Sequence, residues 1–524
     1  MAKYSVLIKG GSVLQGGKLE KKDIGIKQDK IDSIGELSSS DAELVIDAAG
    51  KYISPGFIDL TNHSDTHWTI FSQPKQESLL AQGITTILGG NCGSSLAPLV
   101  KPSDIEGIQK WANVQEINTN WYSVAEFFDE LSKHALGVNF ATLVGHGTLR
   151  RGLLGEDSRE MNEKELGELY FILKGAMEEG AFGISTSLAS AHAKNASQEE
   201  LKLLYKTVAE YNGLTKHHLK DEGRNILPAM AEIISLGREY GSKVQLSHFK
   251  LLGRGSWEIL PEALNLIESE RKDGAAITID LFPYTKTGSL LYMILPPWVV
   301  EGGKEKILSA LRDSKTRKDV LEYLKSLTLH YEKMVVASTL NDTTAIGKSI
   351  AELAASSGLD GEEIIAELVE VNQLHVAIFN DVISHEHLAE LISKDYAMIA
   401  TDGVGYDLKP NMPFDLPHPR SYGSYPLALE LFTRKDKILS WEQILTKFSE
   451  MPADVLGLKD RGKIKEGFFA DLVIIDPEEV GSTTDYAAVH HEVEGIDWVL
   501  VNGKVAVRDG VLSEKSAGRI IKRT

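Results

Sequence analysis

The sequence predicts an α/β protein, in which a barrel of parallel strands and alternating helices carries a small β-domain made from the two termini. Three observations support this prediction. Strand-like and helical segments alternate through the middle of the chain, which is typical of βα units in a parallel sheet. Both ends are instead rich in short strand-like runs, glycines and charged turns. The 524 residues also exceed the ~250 that one α/β barrel often occupies.

The central strands are predicted where short apolar runs stop at a polar residue or a glycine. Such runs end near residues 63, 90, 145, 186, 218, 248, 280 and 402, with helical patterns between most of them, as at 163–179 and 225–240. Eight βα units would close a barrel. Two further strand candidates at 333–337 and 375–379 exceed that count. The mostly helical stretch around residues 285–345 is predicted to be an insertion.

The two ends of the chain resemble each other in composition and pattern. Short strand candidates lie between glycines and charged turns near the start, and Asn502-Gly503 near the end is a strong hairpin signal. We therefore expect residues 1–54 and 465–524 to form one composite β-domain, and residues 55–464 to form the barrel.

Composition and charge narrow the class of partner. The chain carries 75 acidic and 56 basic side chains, a formal net charge of −19, which argues against a nucleic-acid backbone or an anionic membrane surface as partner. A few local cations could still hold a small anionic substrate. The single cysteine excludes a disulfide-stapled fold. No signal peptide and no run of ~18 apolar residues is visible, so we expect a cytoplasmic protein without a membrane span.

Five of the predicted strands end in a residue that can bind a metal ion or transfer a proton. These ends are His63, Cys92, His217-His218, His248 and Asp402. Because the carboxyl ends of parallel strands meet in one mouth, we expect these side chains to converge. The intervals of 29 residues from His63 to Cys92 and 30 from His218 to His248 each match one βα unit of ~30 residues.

The residue types at these strand ends point to metal chemistry. Cysteine and histidine are suitable zinc ligands, and an aspartate nearby can move protons. A lone histidine is nevertheless more often a core or surface residue, and a lone cysteine is more often a small buried hydrophobe. His217 and His218 cannot both face the site, because successive side chains of a strand point to opposite faces. Spacing alone leaves both the metal site and the structural roles open.

Longer motifs make the interpretation more specific. Residues 54–59 (SPGFID) resemble the entry motif of the metal-dependent amidohydrolase superfamily. An ordered set of further motifs resembles the N-acyl-D-amino-acid deacylase (D-aminoacylase) family. The set consists of residues 90–93 (GNCG), 145–150 (GHGTLR), 218–223 (HLKDEG), 247–250 (SHFK), 402–403 (DG), 418–420 (HPR), 460–462 (DRG) and 467–472 (GFFADL). The resemblance covers nearly the whole chain in order.

The resemblance implies both a fold and an activity. The fold would be a (β/α)8 TIM-like barrel with a small β-sandwich built from both termini. The activity would be zinc-dependent hydrolysis of a carbon–nitrogen amide bond, which releases a carboxylate and a D-amino acid from an N-acyl-D-amino acid. Cys92, His218 and His248 would hold one tight Zn²⁺, and Asp402 would be the catalytic proton shuttle.

Some residues depart from the family pattern. The first histidine of the expected His-x-His pair is Thr61, so only His63 remains and a second, weaker metal position loses a ligand. His67 could substitute only if its loop folded back. The family's Tyr-Pro-Tyr after the seventh strand begins here with Phe282, and a family serine aligns with Gly288. The resemblance therefore supports the chemistry better than the identity of the substrate.

The expected substrate is a small molecule with a carboxylate. Lys250 and Arg420 retain the family's cationic groups and would hold that carboxylate, arginine through a planar fork and lysine as a point charge. His146 and Tyr284 are further predicted substrate contacts. The alternative for the two cations is ordinary salt bridging, and for His146 it is shaping of the Gly-His-Gly loop.

Two other functions stay open at this point. The same fold and chemistry could act on another N-acyl or cyclic amide, which Phe282 and Gly288 favour and the two retained cations oppose. A non-catalytic barrel that serves as an assembly scaffold would explain Thr61. Such proteins usually lose several ligands, however, and this chain keeps all three tight ligands together with Asp402.

Overall fold

The computed structural model of the protein describes residues 3–101, 104–105, 117–155, 157, 159–190, 192–300, 303–327, 329–408, 417–482, 486 and 493–524. The strands in chain order are β1 (Tyr4–Lys9), β2 (Ser12–Gln15), β3 (Lys18–Lys21), β4 (Asp23–Lys27), β5 (Lys30–Gly35), β6 (Ala42–Asp47), β7 (Tyr52–Pro55), β8 (Phe57–Asp59), β9 (Ile84–Gly89), β10 (Asn139–Thr142), β11 (Val144–Gly145), β12 (Gly183–Ser187), β13 (Leu214–His218), β14 (Lys243–Leu246), β15 (Ile277–Leu281), β16 (Lys286–Leu290), β17 (Met334–Thr339), β18 (Val376–Asp381), β19 (Ala397–Ile399), β20 (Leu472–Ile475), β21 (Gly481–Ser482), β22 (Val493–Glu494), β23 (Ile496–Val501), β24 (Lys504–Arg508) and β25 (Val511–Leu512).

The α-helices in chain order are α1 (Thr69–Ser72), α2 (Glu77–Leu80), α3 (Val124–Leu131), α4 (His146–Leu154), α5 (Glu163–Glu178), α6 (Gln198–Glu210), α7 (Ile226–Tyr240), α8 (Leu260–Lys272), α9 (Pro297–Val300), α10 (Gly303–Arg312), α11 (Ser314–Ser326), α12 (Ile350–Ser357), α13 (Gly361–Val371), α14 (His385–Ser393), α15 (Arg420–Leu429), α16 (Trp441–Phe448) and α17 (Glu450–Leu456). Across the described residues, no helix combines the length and the apolar character that crossing a membrane requires.

Strands from both ends of the chain pair in one sheet. This seven-stranded sheet has the order β25-β24-β23-β20-β7-β2-β3, and a second sheet has the order β5-β4-β1-β6. Leu472 of β20 lies opposite Pro55 of β7 in an antiparallel pair. One buried apolar cluster includes side chains of both sheets, such as Ile8 and Ile474. The two termini therefore share a hydrophobic core.

The predicted hairpin near the C-terminus is present. Asn502 and Gly503 connect β23 to β24 with φ values of 48° and 74°. Both residues thus adopt the left-handed conformation that a two-residue hairpin loop requires, which is why the Asn-Gly pair suits this position.

The central strands pair in parallel, as the alternation of strands and helices predicts. They form two sheets with the orders β10-β9-β8 and β11-β12-β13-β14-β15-β19. β10 and β11, at one edge of each sheet, are consecutive strands separated only by Leu143. At the opposite edges of the two sheets, a parallel bridge joins Asn62, which follows β8, to Gly403, which follows β19. β9 is buried along its whole length, as expected for a strand covered on both faces. The α/β fold class is confirmed.

One of the predicted helices, at residues 163–179, shows why the sequence specifies it. The structure places α5 at Glu163–Glu178, where Asn162 accepts from the backbone of Glu165 and the Glu165 side chain accepts in return from the backbone of Asn162. This reciprocal capping satisfies two amide donors that a helix start leaves unpaired. The residues Leu169, Leu173 and Met177 then bury one face of the helix.

The segment between β15 and β19 is mostly helical over 285–345, as expected, but it extends further and also contains strands. It contains an antiparallel sheet with the order β16-β18-β17 and continues to Asp381. The two surplus strand candidates are β17 and β18, which pair with each other and with β16 instead of joining the parallel strands. A separate buried cluster, which includes Leu308, Val336 and Ile365, gives this segment its own core.

Candidate active site

Five residues predicted at strand ends come together in the structure. The Sγ atom of Cys92 lies 3.4 Å from Nε2 of His248, and Nδ1 of His218 lies 3.0 Å from that same nitrogen. Two groups of possible metal ligands result, namely Cys92 with His218 and His248, and Cys92 with His63 and Asp402. Within each group the ligand atoms all lie within 4.8 Å of one another. Cys92 is common to both groups.

Three of these residues adopt a backbone conformation that only glycine adopts readily. The φ angles are 50° at Cys92, 37° at His248 and 48° at Asp402. Such residues cost roughly 1–3 kcal/mol each and cluster at functional sites. At the loop that carries Cys92, Gly90 is required, because a Cβ atom there would lie 2.0 Å from the carbonyl oxygen of Leu143. The glycines of the GNCG motif thus allow the turn that directs the thiol inward.

The electrostatics of the site favour an ionised thiol. Burial opposes ionisation of Cys92, but His248, His218 and His63 outweigh it and hold the pKa of the thiol well below its ordinary value. The thiolate is the form that binds metals. Burial likewise opposes protonation of His248, yet Asp402, Cys92 and Glu222 raise the pKa of that imidazole to about 10. A metal ion that binds His248 must therefore displace a proton.

Glu222 is a functional candidate that the analysis of the sequence missed. Its Oε1 atom lies 3.0 Å from Nδ1 of His248 and 2.7 Å from Nζ of Lys250. Burial opposes its ionisation, but Lys250, His218 and His248 hold the pKa of Glu222 well below its usual range. A carboxylate on the far nitrogen of a ligand histidine fixes the ring orientation and its tautomer. The feature of the sequence that could have identified Glu222 is its position in the HLKDEG motif.

Asp402 lies between two cationic partners. Its Oδ1 atom is 3.0 Å from Nε2 of His63, and its Oδ2 atom accepts from Nη1 of Arg420 at 2.5 Å. Burial opposes ionisation of Asp402, but Arg420, His248 and His63 hold its pKa well below the ordinary value. The guanidinium carbon of Arg420 also lies 5.1 Å from the ring centre of Phe282. Its cationic neighbours thus keep Asp402 as an ionised carboxylate beside the ligand group.

The other predicted substrate contacts lie close to these residues. Nζ of Lys250 is 3.0 Å from Nδ1 of His248, next to Glu222. Tyr284 donates its hydroxyl to the carbonyl of Pro419 at 3.2 Å. Its ring meets His418 edge-on, with 5.4 Å between ring centres.

Gly288 faces the same histidine. A Cβ atom at Gly288 would lie 3.3 Å from Cδ2 of His418. That spacing is tight, so a side chain at this position would press on His418, which accepts from the backbone amide of Arg420 through Nδ1 at 3.1 Å. A serine at 288 would therefore require His418 to shift by a few tenths of an ångström.

Two histidines are enclosed behind the site. Nε2 of His146 lies 2.6 Å from Oε1 of Glu200 with both side chains fully buried, so a substrate contact by His146 stays a prediction. His217 lies 2.8 Å from both the Thr186 and the Tyr205 hydroxyls, and burial lowers its pKa to about 3. The prediction that His217 and His218 face opposite ways is confirmed.

The departure at Thr61 also has a clear place in the structure. Its hydroxyl donates to Oδ2 of Asp280 at 2.8 Å, so it points toward the buried interior between the strands. Within the described part of the chain, His67 belongs to neither group of possible metal ligands.

Comparisons with known proteins identify similar sequences and structures. The chain is 27% identical over 528 residues to a D-aminoacylase of Alcaligenes xylosoxydans xylosoxydans, covering 99% of this chain and 98% of the relative. A solved N-acyl-D-glutamate deacylase from Bordetella bronchiseptica, complexed with zinc and a phosphonate inhibitor, has a TM-score of 0.84 and 25% identity over 99% of this chain and 100% of that one. A solved D-aminoacylase, described as having a binuclear metal centre, has a TM-score of 0.82 and 26% identity with the same coverage.

These similarities confirm the predicted resemblance to N-acyl-D-amino-acid deacylases. A family model described as the amidohydrolase family matches residues 44–248 and 311–507, which is well over half of the sequence. The matched residues include Cys92, His218, His248 and Asp402. The chain therefore belongs to the amidohydrolase family.

Proposed function

We propose that this protein is a zinc-dependent deacylase of N-acyl-D-amino acids. The observation that carries the proposal is the meeting of one thiolate and two imidazoles beside an ionised carboxylate, Asp402. Its similarity along nearly the full chain to a D-aminoacylase and to a zinc-bound N-acyl-D-glutamate deacylase supports the substrate class.

Cys92, His218 and His248 would hold a single tight zinc ion. The donor set fits, because sulfur and imidazole nitrogen are the ligands that zinc prefers and their ligand atoms already lie within 4.8 Å of one another. Three protein ligands are also the number typical of catalytic zinc sites. Zinc, when bound, polarises the amide carbonyl and makes water a stronger acid. His63 would be a weaker, additional ligand.

Asp402 would accept a proton from the attacking water and return it to the leaving nitrogen. The cationic neighbours that lower its pKa keep Asp402 unprotonated, as the first half of this role requires, and its contact with His63 holds the carboxylate toward the ligand group. General acid–base catalysis of this kind contributes typically ~10²–10⁴-fold to a rate.

Arg420 and Lys250 would bind the carboxylate of the substrate. Arg420 donates to Asp402 at 2.5 Å, so the substrate carboxylate would have to compete with Asp402 for the guanidinium. Phe282 lies at a distance suited to a cation–π contact and would keep the guanidinium near the site during that exchange. Lys250 would add a second positive charge from beside Glu222.

Tyr284 and His146 would complete the substrate pocket. Tyr284 lies against His418, which contacts the backbone of Arg420. His146 begins α4, and a contact with substrate would need it to leave Glu200.

The architecture around the site would be a closed barrel with a β-sandwich. The bridge from Asn62 to Gly403, and the short step across Leu143, support closure of the two parallel sheets into one barrel. The shared apolar cluster supports a composite sandwich domain of residues 1–54 and 465–524 on a barrel of residues 55–464.

A substrate panel tests the proposed function. Protein loaded with one zinc equivalent is assayed for release of free amine from N-acyl-D-amino acids, their L-enantiomers and the primary amides of the D-series. We expect hydrolysis of D-acids, much weaker hydrolysis of L-acids, and a raised KM for the amides because they lack the carboxylate. Failure to hydrolyse any D-acid, or equal rates on both enantiomers, would contradict the proposal.

A further inference from the structure

His418 is buried just before α15, and the proposed reaction gives it no role. Its Nδ1 atom accepts from the backbone amide of Arg420 at 3.1 Å. Its Nε2 atom donates to the carbonyl oxygen of Lys286 at 2.9 Å. Lys286 begins β16, which belongs to the antiparallel sheet of β16, β18 and β17, called here the insertion sheet. The imidazole therefore bridges the insertion sheet and the residue that would bind the substrate carboxylate.

Both hydrogen bonds require the same form of the imidazole. A backbone amide only donates and a carbonyl oxygen only accepts, so the ring of His418 is neutral with its proton on Nε2. Burial and the guanidinium of Arg420 hold the pKa of His418 well below its ordinary value, which agrees with a neutral ring. A side chain that offers only an acceptor or only a donor would make one of these two bonds and lose the other.

The orientation of the imidazole is fixed by three aromatic side chains. Phe379 and Tyr486 each meet His418 edge-on, with 5.2 Å between ring centres. Tyr284 does the same at 5.4 Å. Phe379 belongs to β18 of the insertion sheet, whereas Tyr284 follows β15 and Tyr486 lies between β21 and β22. Edge-to-face contacts at these distances are favourable, so the surrounding rings hold the plane in which the two nitrogens form their bonds.

Arg420 needs such an anchor because its guanidinium would have to serve two partners. In the structure it pairs with Asp402 and lies over the ring of Phe282. Two parallel hydrogen bonds between a guanidinium and a carboxylate demand a defined orientation of both groups. Arg420 is the first residue of α15, so fixing its backbone amide limits where its side chain can reach. A loose start of α15 would instead add the ordering of a long side chain to the cost of binding.

We propose that His418 is a positioning residue for substrate binding. It fixes the start of α15 to the insertion sheet and so sets where Arg420 presents its guanidinium to the substrate carboxylate. This inference rests on the proposed function, in which Arg420 binds that carboxylate, and adds the residue through which the insertion sheet acts on the binding. His418 should therefore matter for substrates that carry the carboxylate and much less for their amides.

Substitutions of His418 test the inference on zinc-loaded, folded protein. The readout is the KM for N-acetyl-D-leucine divided by the KM for its primary amide, which isolates binding of the carboxylate. His418→Phe keeps a ring but removes both hydrogen bonds, so this ratio should rise roughly tenfold. His418→Asn is smaller but can still accept from the amide of Arg420, so its ratio should lie closer to wild type. If His418 only fills space between the aromatic rings, His418→Phe would lie closer to wild type than His418→Asn, and that order would overturn the proposal.

His418→Gln takes the place of His418→Phe if that variant does not fold. Its side-chain amide can donate to the carbonyl of Lys286 but does not supply the acceptor for Arg420, so the ratio should again rise. His387→Phe is the matched control, because His387 is a half-buried histidine of α14 that also meets an aromatic ring, Trp257, edge-on. We expect the ratio in this control to equal that of wild type.

Failure of the inference is distinguishable from failure of the proposed function. An unchanged ratio in folded His418→Phe, with a raised ratio in Arg420→Ala, would overturn the inference alone. An unchanged ratio in Arg420→Ala would remove the carboxylate site and the inference with it. If wild type hydrolyses no N-acyl-D-amino acid, the proposed function fails, and the ratio is then taken from calorimetric dissociation constants of the unreacted acid and amide. Equal ratios in wild type and His418→Phe by that measurement would also overturn the inference.

Discussion

Glu222→Gln tests how the chain orients the ligand His248. The change keeps the shape of the side chain but removes the charge that lies 3.0 Å from Nδ1 of His248 and 2.7 Å from Nζ of Lys250. The amide is a weaker acceptor, so the imidazole loses the partner that fixes its orientation and raises its basicity. Loss of such a partner typically weakens metal affinity by ~10–100-fold, which corresponds to about 1.4–2.7 kcal/mol.

The assay is competition for zinc between the protein and a chelator of known affinity, with folding checked by circular dichroism. Glu200→Gln is the matched control, because Glu200 is also buried between a histidine, His146, and an arginine, Arg150, but contacts no proposed ligand. We expect Glu200→Gln to destabilise the fold while leaving zinc affinity close to that of wild type. Unchanged zinc affinity in folded Glu222→Gln would refute the role assigned to Glu222.

Four further predictions follow from the site. Cys92→Ala should lose zinc and activity together, and retained zinc would show that the thiolate is not a ligand. Asp402→Asn should keep zinc while its rate falls by ~10²–10⁴-fold, and an unchanged rate would remove Asp402 as the proton shuttle. Arg420→Ala should raise KM steeply for a free-acid substrate and much less for its amide; equal losses would make Arg420 structural. Because the pKa of His248 is raised to about 10, zinc affinity should rise as pH increases toward that value, by about tenfold per unit for one displaced proton, and a flat profile would contradict this.

The order of elements and the location of the site could be predicted from the sequence. Alternating apolar runs and helical patterns depend on local spacing, and polar residues at the strand ends converge because parallel strands share an edge. The opposite orientations of His217 and His218 follow from the same local rule, and the structure confirms them.

The finer geometry depends on contacts that local spacing does not contain. Strand alternation would place His248 and Lys250, two residues apart, on the same face, yet β14 ends at Leu246 and His248 has a positive φ. The two side chains meet because Glu222, from the preceding loop, contacts both of them. Glu222 lies 26 positions before His248 and 28 before Lys250 in the sequence. No periodicity of the sequence reveals contacts over such separations.

The insertion illustrates the same limit. Helical patterns indicated its start near residue 285, but its strands β17 and β18 have the same apolar character as the parallel strands. Only pairing shows that they form an antiparallel sheet with β16, and this pairing extends the segment to Asp381. The ion pair between Lys216 and Asp280 was likewise invisible, because it joins different strands in the interior.

A zinc titration of the zinc-free protein tests the central claim most directly. The initial rate of hydrolysis is measured on N-acetyl-D-leucine and N-acetyl-D-glutamate, which cover an apolar and an acidic side chain, at increasing ratios of zinc to protein. We predict no hydrolysis without zinc, a linear rise on at least one substrate, and a plateau at one zinc per chain. Hydrolysis by the zinc-free protein would contradict the claim that this deacylase of N-acyl-D-amino acids depends on one zinc ion. The absence of hydrolysis of both substrates at one zinc per chain would contradict it as well.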